Sequence, residues 1–298
     1  MKKLFIILSL SSYFQCIAQE KAKQFTEQVG LTTSTTAAYR INGNDTTLKN
    51  AFTLAPYFRI MHNSGLGLSY SINTIVSGTA NKLFMQNVSA FYEEYDKPVN
   101  VNIRYTHFFF NNNPAVPYTP ITNEVYGYVA YKKLWIAPAL AASVGFGQDE
   151  NNQTQSSINI AAGVTHSFSF KNKTIKEADI VPSIFLNGSD NRYYSFLPIT
   201  HYINQNSGNT GFLHSKGRSH GNGNSNGGTT TTTSASVKNS FALNNVELAL
   251  YSSFTIGHFE IIPDGSIFIP LNADNGFSAY WQLKLGYNFG ESTMNHKK

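Results

Sequence analysis

Residues 277–289 read Phe277-Ser278-Ala279-Tyr280-Trp281-Gln282-Leu283-Lys284-Leu285-Gly286-Tyr287-Asn288-Phe289. Every odd position is apolar or aromatic, and the even ones are Ser278, Tyr280, Gln282, Lys284, Gly286 and Asn288. Successive side chains on a strand point to opposite faces, so this stretch predicts a strand with one apolar and one polar face. The parity recurs at 66–76, where Leu66, Leu68, Tyr70, Ile72 and Val76 oppose Gly67, Ser69, Ser71 and Asn73. It recurs at 99–105, with Val99, Val101, Ile103 and Tyr105 against Asn100, Asn102 and Arg104. In 158–170, Ile158, Ile160, Ala162, Val164, Phe168 and Phe170 oppose Asn159, Thr165, Ser167 and Ser169.

Length separates a sandwich from a membrane barrel. Strands of globular proteins average about 5–6 residues, whereas tilted spanning strands need about 9–11. At roughly 3.3 Å per residue and a tilt near 40°, segment 277–289 spans about 30 Å, with Trp281 towards one interface and Tyr287 and Phe289 at the other. Comparable segments lie at 27–40, 48–62, 66–77, 84–95, 99–110, 123–132, 134–147, 156–170, 178–187, 240–256, 258–270 and 277–289. That makes about twelve, an even number as single-chain bacterial barrels require, with a range of ten to fourteen because 193–203 could add strand. Short connections (63–65, 96–98, 132–133, 171–177, 257–258) alternate with longer ones (42–47, 77–82, 111–122, 148–155, 188–239, 272–276). The fold class expected is therefore all-β, an up-and-down antiparallel transmembrane barrel with its termini at the short-turn end. Pro56, Pro138, Pro182 and Pro263 fall inside these segments and are expected at bulges or rims, because proline removes a ladder hydrogen bond.

Composition agrees. Of 298 residues only 13% are charged, about half the roughly 25% of soluble domains. The 22 Phe, 17 Tyr and 2 Trp exclude disorder throughout, and no run beyond the N-terminus approaches the 18 apolar residues of a spanning helix. Lys2 and Lys3, the apolar run 4–10 and Cys16-Ile17-Ala18 read as a secretory signal peptide, residues 1–18, cut after Ala18. Tyr13, Phe14 and Gln15 before the single cysteine do not fit a lipoprotein signal. The mature chain then lacks thiols, which excludes disulfides, thiolate metal sites and cysteine nucleophiles. Removing Lys2 and Lys3 from 22 basic residues leaves 20 against 17 acidic, a net +3 without a basic cluster, so nucleic acid is not an expected partner.

The chain resembles the Gram-negative outer-membrane β-barrel proteins. Residues 27–290 match as pattern, and two stretches carry the likeness. Phe52-Thr53-Leu54-Ala55-Pro56-Tyr57-Phe58 followed by 63–68 looks like that group's strand, turn and strand. Lys284-Leu285-Gly286-Tyr287-Asn288-Phe289 is similar to the C-terminal signal read by the barrel-assembly machinery, with Glu291 where a second aromatic is usual and a polar tail 291–298 beyond. The resemblance implies residence in the cell outer membrane, with outer-membrane lipid and the assembly machinery as partners. A barrel domain over 19–290 with a long surface loop near 188–239 follows.

If the apolar face meets lipid, the opposite parity lines the lumen with Lys49, Tyr57, Arg59, Arg104, Glu247, Tyr251, Glu260, Asp264, Tyr280, Gln282 and Lys284. These groups either form a weakly selective polar pore, or pair, as Glu260 and Lys284 on adjacent strands would, and fill a narrow interior. Within the loop, 217–233 is almost wholly Gly, Asn, Ser and Thr with Arg218 and His220, a composition that buries no core. His62-Asn63-Ser64 has the His-x-Ser spacing of outer-membrane lipid hydrolases, but in a short turn, and His214-Ser215 lies in the loop without an identifiable acid. No phosphate loop, metal-binding helix motif or calcium loop occurs, so no catalytic residue, cofactor or metal is expected. The expected role is a porin-like, small-solute channel or a structural envelope protein, with a surface-binding protein acting through the loop as the alternative and an outer-membrane lipid hydrolase ranked below both.

Overall fold

A computed structural model describes residues 24–42, 45–76, 82–95, 97–111, 120–149, 151–190, 241–271 and 278–289, with side chains throughout except at 35–42, 45–51, 82 and 278. The segment read as a signal peptide, most of the expected long loop and the polar tail lie outside the described residues. The strands are β1 (Phe25–Asn42), β2 (Asp45–His62), β3 (Leu66–Ile75), β4 (Lys82–Glu94), β5 (Val99–Phe110), β6 (Ile121–Tyr131) and β7 (Ala137–Gln148). They continue as β8 (Thr154–Thr165), β9 (Phe168–Phe170), β10 (Glu177–Ser189), β11 (Ala242–Ile256), β12 (Phe259–Pro270) and β13 (Ser278–Phe289). Each strand pairs antiparallel with the next, β8 with β10 and β13 with β1, so twelve long strands close on themselves. Closure removes the unpaired edges that an open sheet would leave.

The parity that predicted strands also decides their faces. On β13, Trp281, Leu285 and Phe289 are exposed, whereas Tyr280, Gln282 and Lys284 are buried. Leu66, Leu68 and Tyr70 on β3, and Ile103 and Tyr105 on β5, are likewise exposed beside buried Ser69, Ser71, Asn102 and Arg104. From Ala279 to Phe289 the outward side chains cover about 25 Å at a tilt near 40°, the height of a bilayer's apolar band. Outward aromatics gather at the short-turn end, where Phe25 meets His62 at 5.0 Å and Tyr287 meets Phe259 and Phe289 at 5.2 and 5.1 Å. Trp281 contacts Phe52 at 6.0 Å towards the other end.

Four expectations are corrected. The segment 156–170 is not one strand. In the β8–β10 ladder the His166 N–H donates to the Pro182 carbonyl at 3.1 Å, but proline has no N–H to return, and the ladder resumes only at Phe168 opposite Ile180. The prolines mark no bulges either: register shifts occur at Asn73/Thr74, Ile121/Asn123 and Asn187/Gly188 instead. Pro56 and Pro263 lie mid-strand with register unchanged across a short gap on one side, whereas Pro138, the second residue of β7 where the β6–β7 ladder ends, sits at a rim as expected. All four rings face outward. β7 begins at Ala137 rather than 134, because residues 132–136 form the turn. Finally, β1 and β2 pair as far as Asn42 opposite Asp45, beyond the last β1–β13 pair at Ser34, so the first hairpin outreaches its neighbour and has no long 42–47 loop.

The turn after β2 is tight because Gly65 adopts φ 90°, and an added Cβ would stand 2.1 Å from the Glu93 carbonyl oxygen. That carbonyl belongs to the segment on which the interior charges converge.

Candidate functional site: the charged interior

Arg59 on β2 pairs with Ser69 on β3, and Ser69 with Ser89 on β4. These small inward residues let the long arginine cross β3 and reach Glu93 on β4, Nη2 to Oε2 at 2.7 Å. Arg104 on β5 approaches from the other side, Nη2 to Oε1 at 3.0 Å, so one carboxylate serves two guanidiniums. Both cations stack on Phe91, 4.6 and 5.2 Å from its centroid, and that ring folds over Gly67, its cross-strand partner. A Cβ on Gly67 would lie 2.3 Å from the ring.

A second network spans β12, β13, β1 and β2. Lys284 Nζ stands 3.8 Å from Glu260, and Gln28 binds both: its Nε2 donates to Glu260 Oε2 at 2.6 Å and its Oε1 accepts from Lys284 Nζ at 3.1 Å. The Tyr57 hydroxyl donates to the same Oε1 at 3.1 Å, and its ring lies 4.6 Å beneath the ammonium. Tyr57 fits flat against the wall because Gly30 and Gly286 leave room; a Cβ on them would approach its hydroxyl oxygen to 2.4 and 2.7 Å. A third group surrounds Glu247 on β11, which accepts from Asn187 Nδ2 at 2.9 Å and Ser266 Oγ at 2.7 Å.

Elsewhere Glu124 and Asp264 are also buried on the inward face, and small polar side chains pair across strands. Ser34 meets Thr53 at 2.8 Å, Ser71 donates to Asn87 at 2.6 Å, and Ser89 meets Thr106 at 2.9 Å. Tyr126, Tyr128, Ala141, Ala161 and Phe185 form one buried apolar cluster with Phe268 on β12 and Tyr280 on β13.

Of the residues singled out in the sequence, Arg59, Arg104, Glu247, Glu260, Asp264 and Lys284 are buried on the inward face, none more than 8% exposed. Arg59 and Arg104 come together through Glu93, and Glu260 and Lys284 through Gln28, while Glu247 stands in its own amide and hydroxyl group. The Lys49 side chain lies outside the described residues. Glu93 and Gln28 were not singled out, although each holds a network together. The His62 Nδ1 is 2.9 Å from Ser64 Oγ and also accepts the Ser64 N–H at 3.1 Å, which makes the pair a turn contact. His214 and Ser215 lie outside the described residues. Among those described, no three His, Cys, Asp or Glu gather in a way that could hold a metal ion.

No family model and no curated protein matches the chain. Among solved structures it is similar to an outer-membrane channel from Pseudomonas putida F1, at 10% identity over 91% of this chain and 97% of that one, TM-score 0.43. It is similar to the NanC porin at 10% identity over 89% and 100%, TM-score 0.39. The translocator domain of autotransporter NalP from Neisseria meningitidis shares 9% identity over 96% of both chains, TM-score 0.38. The likeness is one of barrel architecture alone.

Proposed function

We propose that the chain is an integral outer-membrane barrel acting as a porin-like channel for small solutes, its passage narrowed by the inward charge networks. The observation carrying this reading is the inversion of a soluble protein's pattern: charges turned inward, and Leu66, Leu68, Ile103, Val125, Leu140, Ile184 and Leu250 exposed on a closed wall. An apolar surface that extensive is unfavourable in water and suits hydrocarbon. Outer-membrane lipid is thus the partner of the outer wall, and β13, whose alternation resembles an assembly signal, the segment handed to the assembly machinery.

A second reading, a structural envelope protein, is favoured by the near-complete burial of Arg104 and Lys284, each 1% exposed. Planar-bilayer conductance of the purified barrel, with insertion verified independently, decides between the two. Discrete conductance steps are expected for the channel; silence after verified insertion rejects it and leaves the structural role. The surface-binding alternative rests on residues 217–233 and is tested by deleting them: binding that survives the deletion removes it.

A further inference from the structure

The turn 132–136 before β7 and the turn 171–176 after β9 both lie at the short-turn end, and both carry exposed lysines. Ala137 pairs with Thr165, and continuing that register brings Trp135 alongside the joint between β8 and β9. The contacts agree: the Trp135 ring lies 4.8 Å from His166, whose Nδ1 also bonds the Trp135 carbonyl, and His166 meets Phe168 edge-on at 4.4 Å. Trp135 is 75% and Phe168 52% exposed. At the tips Lys133, Lys171, Lys173 and Lys176 are exposed, and none forms an ion pair among the described residues. By contrast, Lys97 on the β4–β5 turn binds Glu94 at 2.8 Å and Lys132 donates to the Tyr95 carbonyl.

This frame is built. Asn172 Oδ1 accepts the N–H groups of Thr174 and Ile175, both at 2.8 Å, and Lys176 N–H donates to the Thr255 carbonyl at 2.8 Å. Two acids lie nearby: Asp179 is engaged by the Ser169 hydroxyl, and Glu177 is exposed. The patch remains basic.

We infer that the 132–136 and 171–176 turns form a docking surface for the headgroup of an anionic phospholipid. The inference rests on the membrane-barrel reading. Charge complementarity selects the occupant: exposed Trp135, Phe168 and Phe170 suit the depth of the interface, and the exposed ammonium groups of the two turns suit a headgroup phosphate. A soluble acidic partner would not need the exposed indole and phenyl rings of the same end.

The test places the folded barrel in nanodiscs of equimolar phosphatidylcholine and phosphatidylglycerol, then counts retained lipids by native mass spectrometry. Phosphatidylglycerol is expected to be enriched about fivefold or more at low salt, as one or more Lys–headgroup contacts imply. The variant K133Q/K171Q/K173Q/K176Q should fall to parity, while K97Q keeps the wild-type enrichment. Enrichment unchanged in the quadruple variant, or absent in wild type, overturns the inference and leaves the barrel reading intact. Displacement by inorganic phosphate at matched ionic strength makes free phosphate the ligand and also overturns it. A chain that fails to enter the discs overturns the barrel reading itself, and is seen before any lipid is counted.

Discussion

Glu93 is the residue on which the interior turns. Its two oxygens are divided between Arg59 and Arg104, and Phe91, two residues earlier on the same face, supports both guanidiniums. Buried ion pairs contribute little net stability against an apolar alternative, but removing one partner is strongly destabilising because a buried charge loses its counterion. Glu93→Gln keeps the shape and discards the charge, and is expected to lower unfolding free energy by about 3 kcal/mol. Denaturant titration of the micelle-folded barrel, followed by Trp281 and Trp135 fluorescence, reads the change; an unshifted midpoint would show that the arginines do not depend on that carboxylate. Sequence parity passes over this residue for a plain reason. In Phe91-Tyr92-Glu93-Glu94 each face receives one aromatic and one glutamate, so only the parity of Asn87 and Ser89 against Val88 and Ala90, carried forward, puts Glu93 inside.

At the scale of the element, ladder continuity and loop anchoring both depend on single groups. Where proline breaks a ladder, register survives, because the remaining pairs on either side still define it. The connection from β7 to β8 is held by Asp149, whose Oδ1 accepts the N–H groups of Asn151 and Gln153 at 2.9 Å each, and whose Oδ2 accepts Gln155 Nε2 at 2.8 Å. Hydrogen bonding from the Gln153 backbone, first among the causes, holds this carboxyl below its ordinary 3.8. A depressed folded value means that the anchoring is present above the ordinary pKa and is lost as pH falls through the folded one. The Asn151 and Gln153 amides should therefore be protected from exchange near neutral pH and lose that protection in acid. In Asp149→Ala the protection factors should be low at every pH; equal protection in the variant would contradict the anchor.

For the whole molecule, closure is the deciding property. Twelve strands pair around a complete circuit, so no strand can leave without exposing ladder groups that lipid cannot satisfy. The folded barrel should accordingly resist denaturing detergent and migrate differently from the boiled chain on a gel. Identical migration, with recovery from the soluble fraction, would refute a membrane barrel. Closure also sets the interior's size, and with it the reach that lets Arg59 cross β3 and Gln28 bridge Lys284 to Glu260.

Alternation along 277–289, 66–76 and 99–105 determined strand and face, because side-chain direction in a strand repeats every two residues and so is written in the chain itself, whereas the count of twelve, left between ten and fourteen by the sequence, was fixed by closure. It was also sufficient to place Arg59, Arg104, Glu260 and Lys284 on the polar parity. Which of them meet was decided only by the tertiary structure, since partners on neighbouring strands are set by register and shear, and both arise from pairing around the closed circuit. The contact of Trp135 with His166 belongs to the same class: 31 residues separate them in sequence, and the β7–β8 register brings them together.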